Sequence, residues 1–403
     1  MIAISGGSDS TGLLVALATL CATHRFPHIT LSACTVDHGL RPGSAEEAAA
    51  VARLCARHGV AHVTRRWAGP KPATGLQAAA RAKRYALLVE AAKDEGADAI
   101  LSAHTRDDQN ETVAMRAARA GEGVGLSGMA EAVLLDAAVW LLRPFLGIER
   151  AAIRAFLTNR NEGWIDDPSN RNLAFERVRV RSRDEAAPVP SGEDRASLAQ
   201  RAADFVSGSV TRDGACFSLP PSAIEAALSD PAALRGLLLL VATAGGRVHV
   251  LESRSAARLR AFLASGTLSR LTAGRVVFDC RRDGLHLYRE CRGIAPLLLP
   301  AGHAGVWDGR CHVANRAARA VVVSAAGETA EGDIDTLRGP ALRAYRAAPC
   351  LKFEDGGAVA AEDAAIRPVI APYAGFLPRF DLPLAQALAD ILGAGRFLPP
   401  PNE

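Results

Sequence analysis

The sequence predicts an α/β protein: a Rossmann-like parallel sheet first, then a mainly helical middle domain, then a small mixed α/β C-terminal domain. Three observations predict it. Short β-rich runs alternate with helix-like segments as far as Leu142, the pattern of a parallel sheet covered on both faces. A glycine-bearing hexapeptide, Ser5-Gly6-Gly7-Ser8-Asp9-Ser10, stands between the first strand and the first helix. A polar stretch with proline and glycine at 186–194 separates this part from an arginine-rich segment of helical character. The expected domains are 1–186, 195–292 and 293–403.

The elements follow in order. Residues 2–5 read as a short strand cut off by glycines, and 11–23 as an apolar helix. Residues 29–36 are β-rich. Residues 44–58 form an alanine-rich helix, with Ser44 as its expected cap and Glu47 three residues on. Strands at 61–67 and 98–103 alternate with helices at 76–95 and 105–118, and a further strand is expected at 139–142. Ligands of such sheets bind beyond the C-terminal ends of the strands. Past the linker, 195–263 reads as helical, and 276–289 alternates like a hairpin around Asp283-Gly284. From about residue 293 onward, prolines and glycines punctuate short β-like runs.

Composition narrows the classes. Of 403 residues, 49% are hydrophobic and 22% charged, as in ordinary globular proteins. No uninterrupted apolar run reaches the roughly eighteen residues of a spanning helix. The N-terminus lacks the basic-then-apolar pattern of a secretion signal. None of the eight cysteines belongs to a CxxC pair, so reduced thiols and a cytoplasmic location are expected, and zinc-ribbon or iron–sulfur chemistry loses support. Nothing in the sequence calls for a membrane or an obligate protein partner. The net charge is a modest +4, but ten arginines between Arg247 and Arg292 face only Glu252, Asp279, Asp283 and Glu290. Such a segment follows a phosphate backbone or solvates a face. Arg254 and Arg258, four apart on one face of a predicted helix, are its candidate RNA contacts.

The hexapeptide lies where an anion site belongs. Two glycines let the backbone approach phosphate oxygens, and the helix start offers unbonded N–H groups. Ser5, Ser8 and Ser10 add hydroxyls. Asp9 repels phosphate, so its presence points to Mg²⁺ or a cationic substrate. No Gly-Lys-Ser/Thr of a Walker loop occurs, and the dinucleotide-like run 123–128 follows a helix instead of a strand. A second group is His104, Asp107, Asp108 and Glu111. On a helix starting near Thr105, His104, Asp108 and Glu111 fall along one side, with Asp107 beside them. They suit Mg²⁺, an ammonium group or proton transfer, and Thr105 with Asp108 also suits a capping box; the two roles are compatible. His38, at a strand's C-terminal end, reads as a nucleotide contact or a loop histidine. Arg177, Arg179 and Arg181 alternate, as in a phosphate clamp or an exposed edge.

The hexapeptide resembles the SGGxDS signature of the PP-loop ATP pyrophosphatases. Other motifs narrow the resemblance to tRNA(Ile)-lysidine synthases. Asp37-His38-Gly39-Leu40-Arg41 is similar to their (D/H)HGLR element, and Arg81, Arg84 and Tyr85 to ARxxRY. Ala103 to Thr112 resembles AHHxDDQxET, with Thr105 in place of the second histidine. Gly125 to Met129 resembles GLxGM, Trp164 to Asn170 WxxDPSN, and Phe175 to Arg181 YxRNxxR, with Val178 in place of asparagine. The likeness is weaker at Leu287-Tyr288-Arg289-Glu290 and Trp307-Asp308-Gly309-Arg310.

The resemblance implies a ligase in which ATP binds at Ser5–Ser10 with Mg²⁺ and His38. The wobble cytidine of tRNA(Ile) with a CAU anticodon is adenylated at O2, and free L-lysine then displaces AMP. It implies catalytic roles for Asp9, His104, Asp108, Glu111 and Arg177, and Mg²⁺ ligation by Asp9 and Asp107. Arg41, Arg81 and Arg84 would touch tRNA, as would Arg254 and Arg258 in the middle domain. A tRNA thiolase is the nearest rival, but those enzymes rely on cysteine pairs. An amidating synthetase would leave the basic segment without a purpose.

Overall fold

The computed structural model describes residues 1–40, 43–119, 128–165, 192–327 and 336–401. It divides into two compact units, Met1–Arg195 with Leu398–Glu403, and Ala196–Phe397.

The first unit begins with β1 (Ile2–Ala3), α1 (Ser8–Ala22), β2 (Ser32–Asp37), α2 (Ser44–Arg57), β3 (Ala61–Arg66) and α3 (Leu76–Asp94). It continues with β4 (Ala99–Ser102), α4 (Arg106–Arg119), β5 (Ala132–Leu135), β6 (Val139–Leu142) and α5 (Arg150–Thr158). Its strands lie in the order β5-β6-β4-β1-β2-β3. Every pair is parallel except β5 with β6. The short β1 is central, with Ile2 opposite Ala33 on one side and Leu101 on the other. Strand alternation divides the core. Ile2 and Ile4 pack with Leu13, Leu14, Val51 and Leu54 of α1 and α2. Met1 and Ala3 face Leu88, Val89, Ala91 and Ala92 of α3. The chain winds away from β1 in both directions, so the switch-point crevice opens where β1 and β4 end.

The alternating elements expected from the sequence are present, with three differences. Ser44 is the first helical residue instead of the cap. Gly43 caps with φ +86°, a conformation that favours glycine, and the Ser44 hydroxyl bonds to Asp37. The buried run Ala132–Leu135 is an antiparallel strand, and α5 is an additional helix.

The second unit carries α6 (Gly192–Ser209), β7 (Thr211–Asp213), β8 (Cys216–Leu219), α7 (Pro221–Ser229), α8 (Pro231–Ala244) and α9 (Ser253–Ala264). Then come β9 (Arg270–Ala273), β10 (Val276–Arg281) and β11 (Gly284–Arg289). They form a five-stranded antiparallel sheet, β7-β8-β11-β10-β9. The hairpin expected at Asp283-Gly284 is there, with Arg281 opposite Gly284. A second hairpin, β7–β8, interrupts the segment expected to be helical, turning where Gly214 takes φ +54°. The rest of the unit has two three-stranded sheets. One joins β12 (Leu297–Leu299), β15 (Val321–Ala325) and β16 (Pro349–Phe353); the other joins β13 (Ala304–Trp307), β14 (Cys311–Asn315) and β17 (Ala364–Pro368). Helices α10 (Gly339–Arg346) and α11 (Leu382–Leu392) complete it.

A buried ion knot ties these parts of the second unit together. Arg289 grips Asp308 through Nε at 2.9 Å and Nη2 at 3.0 Å, and Arg310 Nε donates to the same carboxylate at 2.6 Å. Gly246 and Gly309 pack closely there: a Cβ on Gly309 would strike the Gly246 backbone, and one on Gly246 the Asp308 carbonyl. Among the described residues no single helix is long and apolar enough to cross a membrane; the apolar α8 is largely buried.

Candidate active site

The Ser5–Ser10 loop is held by packing at Gly6 and by internal hydrogen bonds. Gly6 takes φ +83°, and a Cβ there would lie 2.8 Å from both Val51 and Ile165, so conformation and space both require glycine. A Cβ on Gly7 would meet nothing nearer than Ser5 Oγ at 3.8 Å; that side of the loop is open to an approaching phosphate. Gly7 is the N-cap of α1 and makes no side-chain capping bond, so the first N–H groups of the helix are available to an anion. Internal bonds hold the loop. Ser10 Oγ accepts from Ser5 N (3.2 Å) and donates to Gly7 O (3.1 Å), Thr11 Oγ1 donates to Gly6 O (3.1 Å), and Ile165 N donates to the same oxygen (2.8 Å).

The acids of the second group converge on the loop through an arginine that sequence reasoning did not single out. Arg150, first residue of α5, donates from Nε to Asp9 Oδ2 at 2.9 Å and from Nη2 to Asp108 Oδ1 at 3.1 Å. Its Nη1 lies 3.8 Å from Glu111 Oε1. Its backbone N–H donates to Asp107 Oδ2 at 2.9 Å. One residue therefore engages all four acidic candidates, with its side chain 15% exposed. Burial alone would lower its pKa, but the bond to Asp9 and the charges of Asp108 and Glu111 outweigh it and raise it. Among the described residues, one guanidinium faces the carboxylates of Asp9, Asp108 and Glu111, an acidic setting that suits an incoming cation.

Asp108 also caps α4 through its other oxygen, which accepts from Thr105 N (2.8 Å) and Thr105 Oγ1 (3.0 Å). The expected capping by Asp108 is present on one oxygen, and the other oxygen meets Arg150. Ser8 Oγ donates to Asp9 Oδ1 at 2.9 Å, and Arg154 Nε donates to Ser8 Oγ at 3.4 Å. Gln109 clasps the next motif, with its amide spanning Met129 N (2.5 Å) and Met129 O (3.0 Å).

His104 follows β4, beside β1, and its Nδ1 lies 2.9 Å from Ser102 Oγ. His38 follows β2 and meets the Trp67 ring edge-on, with centroids 6.1 Å apart. Burial lowers its pKa, Arg84 and Lys71 lower it further, and Asp37 opposes them. A neutral imidazole at neutral pH suits a hydrogen bond to a base. Arg81 stacks 5.1 Å from the Tyr85 ring. Arg41, Gly123 to Ser127, Asp166 to Asn170 and Phe175 to Arg181, with Arg177, lie outside the described residues. Within the second unit, Arg254 and Arg258 are exposed on α9, and Arg258 Nη2 donates to Thr272 O at 2.8 Å.

Six of the thiols are held toward the protonated form. Burial pushes Cys34, Cys55 and Cys216 up to about 11 and raises Cys280, Cys291 and Cys311, away from the thiolate that sulfur transfer needs. Among the described residues no group of three or more His, Cys, Asp or Glu side chains forms an all-protein metal cage.

Comparison with known proteins fits this geometry. Residues 1–184 match the PP-loop domain family. A tRNA(Ile)-lysidine synthase of Rhizobium meliloti is 45% identical, over 100% of this chain and 93% of its own length. Enzymes of the same name from Mesorhizobium japonicum and Brucella ovis are 42% and 36% identical, each over 97% of this chain and 92% and 94% of theirs. A solved U34-tRNA thiolase from Methanococcus maripaludis with a [4Fe-4S] cluster is 16% identical, at a TM-score of 0.37, over 45% of this chain and 63% of that one.

Proposed function

The chain belongs to the tRNA(Ile)-lysidine synthase family, and from that premise we propose how its site makes lysidine from the wobble cytidine of tRNA(Ile), L-lysine and ATP. The observation that carries the reading is the shared guanidinium. Asp9 of the phosphate loop and Asp108 of α4 lie on one Arg150 fork, so a cation drawn to the acids arrives beside the nucleotide phosphates.

ATP lies along Ser5, Gly6, Gly7, Ser8, Asp9 and Ser10, with its phosphates on the open side of Gly7 and the N-terminus of α1. His38 contacts the base. The donors present fit Mg²⁺ held jointly by protein and phosphate, as that ion prefers: Asp9 with Asp107 on the protein side. When bound, the ion neutralises charge on the departing pyrophosphate. Cytidine O2 attacks the α-phosphorus, and His104 and Arg177 assist. Asp108 and Glu111 draw in the lysine ammonium and take its proton, and the free amine then attacks C2 and expels AMP. The CAU-anticodon tRNA is gripped by Arg41, Arg81 and Arg84, and by Arg254 and Arg258. Segments 195–292 and 293–403 serve as two RNA-contacting domains.

The test is ATP–pyrophosphate exchange. With lysine omitted, exchange should require tRNA(Ile), because the nucleotide to be adenylated belongs to the RNA. Exchange that needs lysine but no tRNA would mean the amino acid is activated instead, and would overturn this order of steps.

A further inference from the structure

We infer that Arg143 is the floor of a phosphate-binding site, rimmed by Arg81 and Arg84, that holds the tRNA backbone next to the nucleotide being modified. The inference rests on the tRNA reading above and assigns it a further site. Arg143 directly follows β6, whose neighbour in the sheet is β4, whose neighbour in turn is β1. Phosphate loop, His104 and Arg143 therefore follow one another along the C-terminal edge of β1, β4 and β6. Strands lie about 4.8 Å apart, so Arg143 stands roughly 10 Å from the ATP loop. That spacing suits a phosphodiester of a nucleotide whose base reaches His104.

Arg143 is 3% exposed. Its Nη1 donates to Ala130 O at 2.6 Å, and its buried Nε has no partner. Its strongest electrostatic neighbours are Tyr85, Arg81 and Arg84, and among the described residues no carboxylate pairs with it. Burial lowers its pKa, the Tyr85 hydroxyl counters this, and the two arginines depress it further. Arg116, which donates to Gly128 O at 2.8 Å, is likewise lowered by burial and then by Arg81. Burying a guanidinium without a counter-ion, beside others, is costly. An oxyanion seated on the rim relieves that cost. A structural clasp between Tyr85 and Ala130 O needs a donor but no positive charge, so a side-chain amide would serve a clasp equally well. ATP phosphates already have the helix N-terminus, which leaves Arg143 and the exposed Arg81 to RNA.

The experiment measures binding of an anticodon stem–loop RNA with a CAU loop across a salt series, with ATP and inorganic pyrophosphate titrated separately. Arg143→Met should weaken RNA binding about tenfold and flatten the log–log salt slope by about 0.7. Arg143→Lys should keep the slope, and ATP affinity should change less than about threefold in both. If Arg143→Met does not fold, Arg81→Gln at the exposed rim must show the same loss of slope. A folded Arg143→Met with unchanged slope would make the arginine structural and overturn the inference. Loss of pyrophosphate affinity with RNA binding intact would also overturn it, by making this a product site. Failure of the unaltered protein to bind the RNA at all would instead count against the tRNA reading itself.

Discussion

Two buried Arg–Asp networks, one in each unit, have opposite charge balance. In the first unit one arginine, Arg150, meets Asp9, Asp108 and Glu111. In the second, one aspartate, Asp308, meets Arg289, Arg310 and, at 3.9 Å, Arg275. The Asp308 knot is closed. Its carboxylate is 4% exposed and bidentate to Arg289, and the glycines behind it leave no room for a Cβ. The Arg150 network borders an open glycine loop, and among the described residues it holds one guanidinium against three carboxylates. The difference is one of access: the Asp308 network is sealed by backbone, as a structural tie is, whereas the Arg150 network lies beside an opening, as the proposed lysine site requires.

Breaking each network should therefore fail differently. Asp9→Asn should cut lysidine formation on the order of 10³-fold, the scale of one lost electrostatic contact in a dry site, with unchanged melting. Steady-state kinetics alongside thermal unfolding checks this; near-normal turnover would remove Asp9 from the mechanism. Asp308→Ala should do the reverse. Removing one partner of a buried pair costs about 3–5 kcal/mol, so the second unit should melt early in calorimetry while ATP binding survives. Lost ATP affinity at a temperature where both units are folded would contradict the contrast.

Arg150→Lys sharpens the comparison, because it keeps the charge and loses the fork. Turnover should fall about 10–100-fold, chiefly as a raised KM for lysine, and the folded fraction should hold. A loss seen only in ATP affinity would place Arg150 with the phosphates instead of with lysine. The smallest effect concerns the open surface of the second unit. Arg254→Glu should flatten the salt slope of tRNA binding by about one without changing ATP affinity. Arg254 is the cleaner probe, since Arg258 and Arg260 also donate to backbone carbonyls. An unchanged slope would reduce α9 to a solvated face.

What was legible in the sequence follows from how local each signal is. The phosphate loop is contiguous, and its glycines carry their own reason, so it could be read directly. The Thr105–Asp108 cap is a three-residue spacing. The Arg150 contact joins residues 141 apart in sequence, and a lone arginine at a helix start has no distinguishing neighbours. Its clue was negative: four acids in two motifs demanded a resident cation that neither motif supplied. Strand β5 was hidden because Ala132–Leu135 is buried throughout, which erases alternation. The β7–β8 hairpin was hidden because three-residue Thr211–Asp213 is too short and polar to stand out within a helical stretch.

The central claim is that the acidic setting around Arg150 receives lysine beside an ATP-activated cytidine. Nucleoside mass spectrometry tests it most directly, on tRNA(Ile) with a CAU anticodon incubated with the protein, ATP and isotopically labelled lysine. The account predicts one labelled lysine joined to the wobble cytidine per AMP released, and none in a tRNA lacking that anticodon. Sulfur in the product, or AMP released with no lysine incorporated, would contradict it.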